Sequence, residues 1–141
     1  MLIARKTYNT IIETCPLSPP ETGGILGRNG DIVNIYEFDK ISGNCFYNSY
    51  EPDVSFLNDI IKKWTKNGIE FHGIFHSHLS TETALSMPDK GYIFNIMRAI
   101  PVEILKLYFP IVFPRESMLS YIAVRKGNAI KIEDDIITLI D

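Results

Sequence analysis

The stretch that decides the reading is Ile69-Glu70-Phe71-His72-Gly73-Ile74-Phe75-His76-Ser77-His78, followed after seven residues by Ser86 and after two more by Asp89. Its first part is short, rich in β-branched and aromatic side chains, and runs straight into the histidines, which predicts a strand feeding a site. On an extended backbone, residues i and i+2 point to the same face, so the imidazoles of His76 and His78 lie side by side and can converge on one cation. Two histidines and a carboxylate suit a catalytic zinc, which takes three protein ligands and keeps a fourth position open. Asp89 supplies the carboxylate. His72 shares the histidine face, but four residues of strand place it ~13 Å from His76, so it is read as structural.

The flanks of this stretch have clear periodicities. Upstream, Val54, Leu57, Ile61 and Trp64 form one apolar stripe widened by Ile60, with Asp53 near its start and Gly68 past its end, which predicts a helix over 53–67. Downstream, Tyr92, Ile93, Ile96, Met97 and Ile100 predict a third helix from Met87 to Arg98, stopped by Pro101. Ser86-Met87-Pro88-Asp89 is also a helix start in its own right, with Ser86 as N-cap, Pro88 in the first turn and Asp89 three residues on. Capping and ligation are compatible, because a helix N-terminus can present Asp89 to a metal.

Further out, Tyr8, Ile11, Ile12 and Cys15 recur at helical spacing until Pro16, Pro19 and Pro20 end the run. Thr22 to Gly27 and Asp31 to Phe38 read as two strands joined around Asn29-Gly30, a strong hairpin dipeptide. Lys106 to Phe113, a Pro114-Arg115-Glu116 turn, Met118 to Val124, Lys126-Gly127-Asn128 and a last strand from Ala129 read as a meander. Helices interleaved with hairpins predict an α/β protein, a mixed sheet with helices on its faces. No repeat or shift of composition divides the chain, so residues 1–141 are expected to share one core.

Composition bounds the function. The 141 residues are 45% hydrophobic and 22% charged, enough apolar material for a core and too much for a disordered chain. Fourteen basic against seventeen acidic side chains give a net charge of −3, spread along the sequence, so no nucleic-acid partner is expected. Cys15 and Cys45 are too few for a disulfide framework and read as thiols in a reducing compartment. At the N-terminus, charge follows a very short apolar stretch, the reverse of a secretory signal. The most apolar region, Ile100 to Phe113, is broken by Pro101, Glu103, Lys106 and Pro110, so no membrane span is expected. A soluble cytoplasmic protein is the default expectation.

A metal that activates water still needs a base outside its ligand set to take the proton and pass it to a leaving amine. Glu21 is the candidate, standing between prolines and the small residues Thr22-Gly23-Gly24, where missing side chains allow close approach of backbone or substrate. Ser86 can donate a hydrogen bond to the oxyanion of a tetrahedral intermediate.

At these residues the sequence resembles the JAMM (MPN+) metalloprotease family, whose pattern is an upstream Glu, then His-Ser/Thr-His, seven residues, Ser, two residues and Asp. The likeness extends from the first helix through Glu21-Thr22-Gly23-Gly24-Ile25-Leu26-Gly27 and the helix ending at Gly68 to Gly73-Ile74-Phe75-His76-Ser77-His78. The resemblance implies a compact, stand-alone member of prokaryotic type with a cytidine-deaminase-like, three-layer α/β/α fold. It implies that His76, His78 and Asp89 bind one Zn2+, that Glu21 activates water and that Ser86 stabilises the oxyanion. The implied reaction is hydrolysis after the C-terminal glycine of a ubiquitin-like protein, by deconjugation or precursor processing. It implies no particular oligomeric state. Family members commonly carry proline after the second histidine; Leu79 stands there instead, which bears on loop shape and substrate fit more than on metal binding. The alternative is a non-catalytic MPN-type scaffold that binds partner proteins, although such members usually lose ligands and this chain keeps the set. A nucleobase deaminase is disfavoured, because its His-x-Glu and Pro-Cys-x-x-Cys signature is absent.

Overall fold

The computed structural model describes residues 1–39 and 50–141; Cys45 lies outside them. In chain order the elements are β1 (Leu2–Ala4), α1 (Arg5–Thr14), β2 (Gly23–Asn29), β3 (Ile32–Phe38), α2 (Val54–Lys66), β4 (Glu70–Ser77), α3 (Met87–Ala99), β5 (Lys106–Tyr108), β6 (Ile111–Phe113), β7 (Ser117–Lys126), β8 (Ala129–Asp135) and β9 (Thr138–Ile140). The α/β class, with a mixed sheet and helices on both faces, is as the sequence predicts.

Local chemistry accounts for the element ends. Asp53 caps α2 by accepting from the Phe56 N–H at 3.0 Å, and Gly68 takes a positive φ of 71° just past its end. α3 opens with a complete capping box: Ser86 Oγ accepts from Asp89 N–H at 3.1 Å, and Asp89 Oδ2 accepts from Ser86 N–H at 2.9 Å. Gly30, at φ 75°, turns the β2–β3 hairpin at the expected dipeptide.

Among the described residues the sheet has nine strands. β4 lies near its middle, antiparallel to β2 on one side and parallel to both β5 and β6 on the other. Neighbouring residues along a strand feed opposite faces. Ile25, Ile74 and Ile111 join Leu57, Trp64, Ile93 and Met97 on the α2–α3 face. Leu26, Phe75 and Val112 join Ile11, Ile12 and Cys15 on the α1 face. Each central strand is therefore buried on both sides, as a sheet covered by helices on both faces requires.

Two expectations for the C-terminal third need correction. The predicted strand over 106–113 is two strands, because Phe109 and Pro110 interrupt it and proline has no N–H to give a ladder. The last stretch is not a plain meander either: β8 pairs with β7, but β9 lies parallel to β1 at the far end of the strand order. Only residues 136 and 137 separate β8 from β9. Consecutive Cα atoms are 3.8 Å apart, so so short a link requires the sheet to curl until its two ends come close. α1 lies within that curl, and α2 and α3 lie outside it.

Candidate metal centre

The site forms where the C-terminal end of β4 meets the N-terminus of α3. His76 and Ser77 end the strand, and His78 continues its course, its N–H donating to the Val112 carbonyl of β6 at 2.9 Å. His76 N–H donates to the Pro110 carbonyl at 3.1 Å, so the histidine backbone is anchored on the β6 side. The rings reach the same place, their Nε2 atoms 3.1 Å apart. The capping box aims the Asp89 carboxylate at them: Oδ1 lies 3.3 Å from His76 Nε2 and Oδ2 lies 3.1 Å from His78 Nε2. All three side chains are buried.

These distances bear directly on metal binding. Ligand bonds of ~2.0–2.2 Å in a tetrahedral zinc site place donor atoms about 3.3–3.5 Å apart, close to the three separations here. The partners of the outer ring nitrogens bear on the tautomers. His78 Nδ1 lies 2.9 Å from the Glu82 carbonyl oxygen, which can only accept, so Nδ1 carries the proton and Nε2 presents a lone pair. His76 Nδ1 lies 2.8 Å from the Tyr92 hydroxyl, which can donate or accept; when it accepts, His76 Nε2 also presents a lone pair. Two nitrogen lone pairs and a carboxylate then face one point, an arrangement that a divalent cation satisfies. The residues present therefore fit a zinc ion.

The electrostatics agree. Burial drives the His76 pKa down. For His78 burial works in the same direction, but the Asp89 carboxylate and the Glu82 carbonyl outweigh it and push the pKa up. Burial alone would raise Asp89, yet the two neighbouring imidazoles and the hydrogen bond from the Ser86 N–H hold it well below the usual carboxylate range. The pocket calls for positive charge at the point where the three groups meet.

Glu21 approaches the histidine pair from the loop before β2, and its carboxylate and the two imidazoles offer atoms within 4.8 Å of one another. It is 6% exposed, and burial pushes its pKa up to about 7, with His78 pulling it down and Asp89 adding to the rise. The glycines after Glu21 are explained by the chain itself: a Cβ at Gly23 would stand 2.4 Å from Cζ of Tyr50. The Tyr50 ring stacks on His76, with centroids 6.1 Å apart at 9°. Ser86 is exposed at the rim, and its cap role uses the hydroxyl oxygen while leaving the hydroxyl proton free to donate.

The structure thus brings together Glu21, His76, His78, Ser86 and Asp89, and it separates His72 from them in an unexpected way. β2 and β4 pair Leu26 with Gly73 but Gly27 with Phe71, so His72 is an extra residue at a bulge. The bulge reverses the alternation: Phe71 packs with Ile74 on the α2–α3 face, whereas the His72 ring stacks on Tyr108 of the α1-side cluster, 4.5 Å between centroids. The expected shared face is therefore corrected. Tyr92 and Tyr50 were not expected at the site; Tyr92 reads in sequence as one more apolar position, although its place three residues after Asp89 puts both on one side of α3.

A groove of about 520 Å³ opens beside His78, lined by Leu17, Leu79, Phe113 and Leu119, with hydroxyls from Ser80 and Thr81. Fold and site together define an α/β protein with a buried cluster of two histidines and two carboxylates, Asp89 and Glu21, and the grouping of Glu21, His76 and His78 is itself able to hold a metal ion. No family model matches the chain, and no curated protein matches it in sequence. Among solved structures, the solution structure of protein DSY2949 from Desulfitobacterium hafniense shares the fold: it is 21% identical, with a TM-score of 0.63 over 100% of this chain and 94% of that one. Among the described residues no helix is long and apolar enough to cross a membrane.

Proposed function

We propose that this chain is a zinc-dependent hydrolase of peptide or isopeptide bonds, of the JAMM (MPN+) type. Its substrate would be the bond after the C-terminal glycine of a ubiquitin-like protein, in a conjugate or a precursor. The observation that carries the reading is the convergence of His76, His78 and Asp89, the two Nε2 atoms 3.1 Å apart and each within 3.1–3.3 Å of one carboxylate oxygen of Asp89, with the buried Glu21 beside them. The curled sheet, with α1 inside and two helices outside, is in keeping with the cytidine-deaminase-like fold that the sequence resemblance implies. A cytoplasmic setting is part of the same reading.

His76, His78 and Asp89 would hold the metal, which when bound supplies a Lewis acid that polarises a carbonyl and acidifies water. Glu21 takes the proton of the attacking water and hands it to the departing amine. A carboxyl group that burial brings to about 7 is poised for both transfers, because efficient proton exchange needs a pKa near the working pH. Ser86 donates a hydrogen bond from its free hydroxyl to the oxyanion as the carbonyl becomes tetrahedral. The groove beside His78 receives the chain next to the scissile bond, and Leu79 forms part of its wall.

Metal analysis of the purified protein tests this reading first. About one tightly held zinc per chain is expected. A folded, metal-free protein that refuses added zinc would overturn it and leave the scaffold reading in its place.

A further inference from the structure

Ser77, between the two histidines, points to the opposite face of the sheet, as strand alternation demands. Its contacts there converge on one residue. The Thr22 N–H donates to Ser77 Oγ at 2.9 Å, and the Ser77 N–H donates to the Thr22 carbonyl at 2.7 Å. Both main-chain polar groups of the residue after Glu21 are therefore held by the one residue that lies between His76 and His78. The clamp has its own support: the fully buried Ser77 hydroxyl lies beside the Cys15 thiol at the end of α1 and opposes the rise that burial gives the thiol's pKa. Arg115 pins that end by donating from Nη1 to the Cys15 carbonyl at 2.8 Å and to the Ile12 carbonyl at 3.3 Å.

Glu21 needs such a clamp. It lies in the irregular segment between α1 and β2, so no helix or strand ladder fixes its own backbone. A base must be held within about 0.5 Å of its working position, and a misplacement of ~1 Å can cost ~10²-fold in rate. The geometry points to Ser77 as a positioning residue: from the face away from the imidazoles it fixes the Glu21–Thr22 backbone relative to the two histidines, with Cys15 as its support. Its effect on rate rests on the hydrolase reading above; its effect on the backbone does not. The metal-ligand strand would then do two jobs at once, histidines on one face and clamp on the other, so that base and ligands keep a common frame.

The test compares Ser77→Ala with Ser77→Thr, which keeps the hydroxyl, by measuring zinc content, hydrogen exchange at the Thr22 amide, and cleavage of an isopeptide-linked ubiquitin-like conjugate. Ser77→Ala is expected to keep its zinc, to exchange the Thr22 amide at least about tenfold faster than wild type, and to lose ~10–10²-fold in kcat with KM little changed. Ser77→Thr should restore both exchange protection and rate. In a Glu21→Gln background, Ser77→Ala should lower the rate no further, because there is no base left to position. The inference is overturned by unchanged Thr22 exchange in Ser77→Ala, by loss of zinc from that variant, or by an equal rate loss with and without Glu21. If zinc-loaded wild type cleaves no conjugate, the hydrolase reading fails, and the exchange comparison alone decides the clamp. Should Ser77→Ala not fold, Ser77→Cys, with a similar volume and a much weaker acceptor, carries the same comparison.

Discussion

His72 and His76 stand four residues apart on one strand, are buried alike at 8% and 0% exposed, and are both pushed by burial toward the neutral form, yet their surroundings differ in kind. The His72 ring lies against Tyr108 on the α1 face. The His76 ring meets a second imidazole, a carboxylate and a phenol. Burial explains how a histidine titrates; only the convergence of donor atoms makes a site. A lowered histidine pKa therefore does not by itself mark a candidate metal centre, whereas three separations near those of a tetrahedral ligand shell do.

The sharpest way to break this comparison is to remove each histidine in turn. His76→Ala, His78→Ala and Asp89→Ala each delete one of three ligands and should reduce zinc occupancy to a small fraction under competition with a chelator. His72→Ala should keep about one zinc per chain. Retention of metal by all three site variants would show that the His76, His78 and Asp89 cluster is not the binding site. Next in size, Ser86→Ala should lower turnover by ~10²–10³-fold with zinc in place, the loss expected for one oxyanion donor. Its lost helix cap should cost ~1 kcal/mol, read as a lower melting temperature. Normal turnover with only the melting shift would leave Ser86 as a cap alone.

The smallest effect concerns His72. Burial lowers its pKa from 6.5 to about 4 in the fold. Between these values the unfolded chain binds a proton that the folded chain refuses, so stability falls as pH drops from 6.5 toward 4 and is complete above 6.5. Denaturant midpoints measured across this window should fall less steeply for His72→Gln than for wild type. Equal slopes would show that His72 gains its proton without leaving its place against Tyr108.

Much of this could be read from the sequence because it is local. The α2 stripe, the Asn29-Gly30 turn, the Ser86–Asp89 capping box and the two-residue spacing of His76 and His78 each depend on neighbours a few positions apart. The misread features depend on distant partners. His72 changes face because β2 and β4 slip by one residue at Gly27, which no pattern within β4 records. β9 crosses to β1 because the sheet curls, a property of the whole strand order rather than of residues 138–140. Tyr92 looked apolar because periodicity counts its ring and ignores its hydroxyl, and that hydroxyl finds His76 only once α3 is laid against the end of β4. The contact of Ser77 is hidden from local pattern for a similar reason: its partner Thr22 is 55 positions away in the chain.

The central claim is that the two carboxylates have different duties, Asp89 holding the metal and Glu21 moving protons. Glu21→Gln separates them, since glutamine keeps the shape of the side chain and cannot carry a proton between water and amine. Wild type and Glu21→Gln should be assayed side by side, both zinc-loaded, on an isopeptide-linked conjugate and on a linear Gly-Gly fusion of a ubiquitin-like protein. The account predicts a folded variant with about one zinc per chain whose cleavage is slower by at least ~10²-fold. Equal cleavage by the two proteins, or no cleavage by zinc-loaded wild type on either substrate, would contradict it.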